Sequence, residues 1–300
     1  MHADAEPVPP PSAGDDTAAR LSVHAWSPAL RVLAAAAQVL SAANLLYLVA
    51  LSLLGVLEGY DDISPLGTAL RLLGFSLLPL VLVWLLRRFT AASLHAEPTR
   101  LVLQLRGVRF EIPRESITRV EPWRLPLPGT GLALRMKSGR RFDYHLQAST
   151  LAPLLTALGD TLPTAAAAAQ HPSARFGQAR HDRRRWFLDA PAFKFGLFPL
   201  LPAGIMFRAH QYITFGGPFG EYDAFGLAAY LKTFAGYWLS FTLGLLLFAG
   251  FWRILAEVLA FPMTWLLPSY ARGVRRAAEW LCRLVYYVGF PALMAWRFLG

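Results

Sequence analysis

The sequence predicts an α-helical integral membrane protein of about five transmembrane helices, with a small antiparallel β domain inserted after the second. Three observations predict it: long runs without a charge, one middle segment that holds the excess of positive charge, and a switch inside that segment from helical to two-residue hydrophobic period. The chain of 300 residues is 55% hydrophobic and only 16% charged, whereas soluble domains carry about a quarter charged residues. Much of it must therefore face something other than water.

Residues 1–25 read as an N-terminal tail, because the opening (PVPPPSAGDD) is rich in Pro, Ala and Asp and cannot bury a core. It has no basic segment leading straight into an apolar run, as a cleaved secretory signal would, so the first apolar helix is expected to stay as an anchor. Residues 26–94 form a two-helix hairpin. Val32 to Leu57 has no charge over 26 positions and Leu66 to Leu86 has only Arg71 over 21; at 1.5 Å per residue both cross a hydrocarbon core of about 30 Å. In residues 189–300 the spacing predicts about three more spans. These are Phe195 to Ile213, interrupted by Pro199 and Pro202, Phe234 to Trp252, and Trp280 to Phe298. A re-entrant Phe195–Ile213 segment leaves four spans in place of five.

Orientation follows from Lys and Arg in short flanking segments. Residues 87–194 carry 18 basic and 8 acidic residues, an excess of ten that equals the net charge of the whole chain. The loops around Asp61 and Asp62 and around Glu221 and Asp223 are acidic. This alternation predicts a cytoplasmic N-terminus and a cytoplasmic 87–194 segment, and the preponderance of Arg over Lys fits a GC-rich bacterial gene and hence a bacterial inner membrane.

Within residues 95–160, RLVLQLR, VRFEI, LALRMK and RRFDYHL each alternate apolar and polar side chains, with Gly107, the PGTG segment and Ser138-Gly139 as turns. Such alternation predicts half-buried antiparallel strands, and Ser149 caps a short helix with Leu151, Leu154, Leu155 and Leu158 on one face. The strand pair RLVLQLRGVRFEIP, the SITRVEPW segment, the SGRRFDYHL hairpin and the closing helix STLAPLLTAL together resemble the bacterial pleckstrin-homology-like domains attached to transmembrane helices. That resemblance covers about a fifth of the chain and implies a platform for lipid or protein, without a lipid-coordinating residue that can be assigned by number. Residues 161–188 follow as an Ala-rich linker and a basic juxtamembrane segment.

The candidate site residues are few. Arg180, Arg183, Arg184, Arg185 and Trp186 cluster where anionic headgroups and the aromatic interface lie, each cation worth roughly 1 kcal/mol, although such residues also serve as topology determinants alone. Arg208 and His210 fall at the end of the Pro-interrupted span, lining a polar cavity, pairing with Glu221 or Asp223, or simply wetted at the outer interface. Arg253 and Glu257, spaced i, i+4 after the Phe234–Trp252 span, predict an ion pair. The single Cys282 excludes an internal disulfide. No HExxH, GxSxG or GxxxxGKS pattern is present, so no catalytic residue, cofactor or metal is expected. The expected partners are anionic membrane lipids and another membrane or cytoplasmic protein, with no nucleic acid. The expected role is a docking platform; a transporter or channel component using the interrupted span, and a lipid-modifying enzyme, are the alternatives.

Overall fold

Alternating apolar residues fold as strands only when a partner strand is available on each side that water does not serve. In the computed structural model, which describes residues 19–58, 65–159, 163–183 and 186–299, that requirement recruits two strands beyond the expected ones. The chain divides into two units, one ending at Arg31 and resuming over Leu86–Gln178, the other formed by Val32–Leu85 and the chain from Ala179 onward.

The first unit is a seven-stranded antiparallel sheet. Its strands are β1 (Ala19–Trp26), β2 (Ala91–Ala96), β3 (Arg100–Leu105), β4 (Val108–Pro113), β5 (Ile117–Pro122), β6 (Gly131–Met136) and β7 (His145–Gln147), in the spatial order β4-β3-β2-β1-β7-β6-β5. Residues 19–25 correct the expectation of a tail extending to residue 25; residues 1–18 lie outside the described residues. β1 is the middle strand, pairing Val23 with Ala92 on one side and Ala25 with Leu146 on the other. The alternation in RLSVHA is long enough to bury Val23 and Ala25 in the core. β2 likewise begins before residue 95 and buries Leu94.

The remaining expectations for this unit hold in part. The hairpin after β6 turns at Gly139, whose φ of +78° suits glycine. Beyond it only an isolated bridge at Arg141 precedes the short β7, while Phe142 and Tyr144 pack against Phe110. The closing helix, α4 (Ala152–Gly159), buries Leu154, Leu155 and Leu158. The Ala-rich stretch assigned to a linker is instead helical, as α5 (Pro163–Gln170) and α6 (Pro172–His181). Alanine has the highest helix propensity, and Ala165, Ala168 and Ala174 are small enough to sit in the same core as the sheet leucines.

In the second unit the apolar runs fold as helices: α1 (Pro28–Glu58), α2 (Pro65–Leu72) continuing through Leu73–Leu77 into α3 (Leu78–Phe89), then Ala192–Leu197 leading to α7 (Leu200–Phe215), and α8 (Gly220–Leu266). Four helical stretches are long and apolar enough to cross a membrane: Pro28–Leu54, Pro65–Phe89, Ala192–Phe215 and Gly220–Leu266. The fifth expected span is not among them. Trp280–Phe298 falls across α9 (Ala271–Leu284), Val285–Gly289 and α10 (Phe290–Leu299), and Arg283 in its first half is buried as an ion pair. Gly226, at φ +82°, breaks the regular backbone near the start of α8. The acidic loop around Asp61 and Asp62 lies outside the described residues.

Side-chain sorting in this unit is opposite to that of a water-soluble protein. Val32, Leu66, Leu78, Ile205 and Ile213 are exposed, Ile213 to 85%, and polar groups meet inside. Asn44 on α1 donates to Ser76 Oγ at 2.8 Å, and Ser76 donates to the Ser41 carbonyl at 3.2 Å. Apolar outside and polar satisfied inside is what a lipid environment demands of a helix pair.

Candidate functional site

Two polar concavities stand out, one in each unit. In the β-rich unit, β5, β6, β7 and the start of α1 line a cleft of about 590 Å³ whose wall includes Arg31, Arg119, Glu121, Trp123, Arg124, Arg141, His145 and His171. Four guanidiniums therefore face one carboxylate. Glu121 accepts from Arg135 at 3.2 Å and from Arg141 at 2.9 Å. Burial opposes its ionisation, but the Arg141 hydrogen bond and the charges of Arg141 and Arg135 outweigh burial and hold the carboxyl below its ordinary value. Arg31 stacks on the Trp123 ring, 3.8 Å from its centroid, and donates to the Leu127 carbonyl at 3.3 Å.

Arg119 and Arg124 are exposed and make no ion pair among the described residues. Deeper in the cleft, Trp123 Nε1 and His145 Nδ1 are buried with no hydrogen-bond partner among the described residues. Burial depresses the His145 imidazole, and the charges of Arg31 and Arg141 depress it further; burial and Arg124 do the same to His171. Surplus guanidiniums beside the unsatisfied buried Trp123 N–H suit an acidic group.

In the helical unit, α9 is amphipathic in an inverted sense. Its i, i+4 ridge Arg275, Glu279, Arg283 is buried, with Arg275 only 4% exposed, whereas Trp280, Leu281 and Leu284 are exposed. The ridge meets α8 and the segment before α7 in a network of ion pairs. Arg253 bonds Glu257 at 2.9 Å, as its i, i+4 spacing predicts, and also Glu279 at 2.6 Å. Arg275 bonds both carboxylates at 2.8 Å, closing a four-member ring. Arg183 joins Glu279 at 3.3 Å to Asp189 at 3.4 Å, and Arg283 bonds Asp189 at 2.6 Å. Burial raises the Asp189 carboxyl, but the Arg283 hydrogen bond, the Trp186 backbone N–H and the Arg283 and Arg183 charges prevail and hold it below its usual value.

Comparison with protein-family models, with curated proteins and with solved structures finds no match.

The sequence-derived site residues are thus dispersed. Arg183 enters the network and Trp186 packs edge-on against Trp280 at 5.3 Å with Arg283 over its ring. Arg180 is exposed at the end of α6, and Arg184 and Arg185 lie outside the described residues. Arg208 does not pair with Glu221 or Asp223; it donates to the Tyr212 hydroxyl at 3.1 Å. His210 packs between the rings of Phe215 and Tyr237 with Thr214 at 3.3 Å. Glu221 is taken by Gln211, fully buried, at 2.6 Å and by Thr233 at 2.6 Å. Missed from the sequence were Arg275, Glu279, Arg283 and Asp189. The i, i+4, i+8 spacing of the first three was a readable signal that α9 has one continuous charged face.

Among the described residues no group of three His, Cys, Asp or Glu could hold a metal.

Proposed function

We propose that this chain is a multi-pass protein of a bacterial inner membrane whose β-rich unit lies in the cytoplasm and docks an acidic group of a protein or lipid partner. The observation that carries the reading is the cleft of the β-rich unit, where exposed Arg119 and Arg124 flank the buried Trp123 N–H, which has no partner among the described residues. The seven-stranded antiparallel sheet packed against α4 supports its kinship with pleckstrin-homology-like domains. The excess of basic residues between 87 and 194 supports a cytoplasmic location, and the four apolar helices support a membrane anchor.

Four guanidiniums around a single carboxylate suit the docking of an acidic group. The transport alternative draws no comparable support from His210, which is half-buried and contacts Phe215, Tyr237 and Thr214.

The test is calorimetric titration of the detergent-solubilised full chain with inorganic phosphate and with a Glu-rich peptide. The double variant Arg119→Ala/Arg124→Ala, at positions that make no ion pair among the described residues, should weaken binding at least about tenfold with the fold intact, since even one charge-assisted hydrogen bond is worth roughly 1.5–3 kcal/mol. Equal binding by wild type and variant removes the cleft from the account.

A further inference from the structure

The ion-pair network of the helical unit leaves positive charge over. Its four guanidiniums, Arg183, Arg253, Arg275 and Arg283, face three carboxylates, Asp189, Glu257 and Glu279. Lys194 adds a fifth cation beside them. It is half-buried, with Nζ 4.4 Å from the Tyr286 ring centroid, and it makes no ion pair among the described residues. Among the described residues the network and Lys194 together therefore hold two more positive than negative charges in a partly desolvated place, an arrangement that an anion would stabilise.

The space beside these groups has room for such an anion. A pocket of about 350 Å³ is walled at its charged part by Lys194, Arg183, Arg253 and Arg283, with the already paired Asp189 and Glu279 between them. The same wall includes Leu246 and Gly250, one to two turns before Arg253 on α8, and Leu45 from the middle of α1. Gly250 contributes no side chain to this wall, and a Cβ there would come within 2.5 Å of Leu45 Cδ1. The pocket thus runs from a cationic part into an apolar one.

Its charged part also sits at a particular place along the helices. Lys194 is the third residue of the apolar stretch Ala192–Phe215, and Arg253 directly follows the uncharged run Phe234–Trp252. Both mark the level where a hydrocarbon core gives way to headgroups.

We propose that this pocket binds one anionic glycerophospholipid, its phosphate among Lys194, Arg183, Arg253 and Arg283 and the start of an acyl chain against Leu45 and Leu246. The inference rests on the membrane reading above but not on the docking cleft, which belongs to the other unit.

Cys282 gives a direct reporter, because it is the only cysteine of the chain and lines the same pocket. The full chain in nonionic detergent is labelled with a maleimide at mildly alkaline pH, in the presence of phosphatidylglycerol, phosphatidylcholine or inorganic phosphate. Phosphatidylglycerol should slow labelling at least about fivefold more than phosphatidylcholine does, a factor equivalent to roughly 1 kcal/mol, the contribution of a single cation, and inorganic phosphate should not protect. Lys194→Gln should abolish the difference between the two lipids, and Lys194→Arg should keep it.

Equal protection by both lipids overturns the proposal, as does protection by inorganic phosphate to the same extent, which would make this a free-anion site. Unchanged selectivity in Lys194→Gln overturns it too; should that variant fail to fold, the lipid selectivity of wild type and of Lys194→Arg decides. A chain that stays monodisperse in water without detergent instead sinks the membrane reading itself, a result readable before any lipid is added.

Discussion

Glu279 forms ion pairs with three guanidiniums at once, those of Arg183, Arg253 and Arg275. Replacing such a carboxylate while its buried partners stay leaves charges that the interior cannot solvate, and breaking a buried pair in this way costs about 3–5 kcal/mol. Glu279→Gln should therefore lower the thermal midpoint of the solubilised chain far more than Glu111→Gln, whose pair with Arg100 lies in solvent and is screened there. Equal effects of the two substitutions would show that the network is solvated after all. Protonation gives a second handle at this scale. Burial holds His24, His145 and His171 below their ordinary 6.5, so the unfolded chain binds protons that the folded β-rich unit refuses. Stability is then complete above about pH 6.5 and declines as the pH falls through that value towards the folded pKa values. The carboxyls of Glu121 and Asp189, depressed from 4.5 and 3.8, favour the fold above those values and withdraw that support only in stronger acid. Melting the chain across this range should show a first loss of midpoint below neutrality and a second one in acid; a flat profile down to about pH 5 would deny the histidine contribution.

At the scale of elements, β1 decides whether the sheet exists, since it joins the β2 side to the β7 side. Val23→Asp places a carboxylate in the core beside Leu94 and Leu146 and should cost several kcal/mol, seen as early proteolysis of the β-rich unit while the helical unit stays protected. A variant as resistant as wild type would mean that residues 19–26 are dispensable. This strand also shows where sequence reading failed. Its alternation spans barely six residues and follows a Pro- and Asp-rich opening, so local pattern alone gave a tail; only its two partners, more than sixty residues away, make it a strand. Strands β3, β4 and β6 were legible because each has a glycine turn beside it and an uninterrupted period of two. The Ala-rich helices α5 and α6 were hidden for a related reason: alanine patterns look like low complexity until a core is there to receive them. In the candidate site, the Arg253–Glu257 pair followed from spacing within one helix, whereas its closure by Arg275 and Glu279 depends on the packing of α9 on α8, which no local pattern encodes.

At the scale of the whole molecule, the account rests on the sorting of side chains between two solvents. Long uncharged helices expose leucine and isoleucine, while the intervening β-rich segment carries the basic excess. The most direct test is the sidedness of the exposed turn at Ser138. A Ser138→Cys substitution in a Cys282→Ser background should resist an impermeant maleimide applied to intact spheroplasts of a bacterial host and react once the membrane is opened. Full labelling of the intact cells would place the β-rich unit outside and contradict the account.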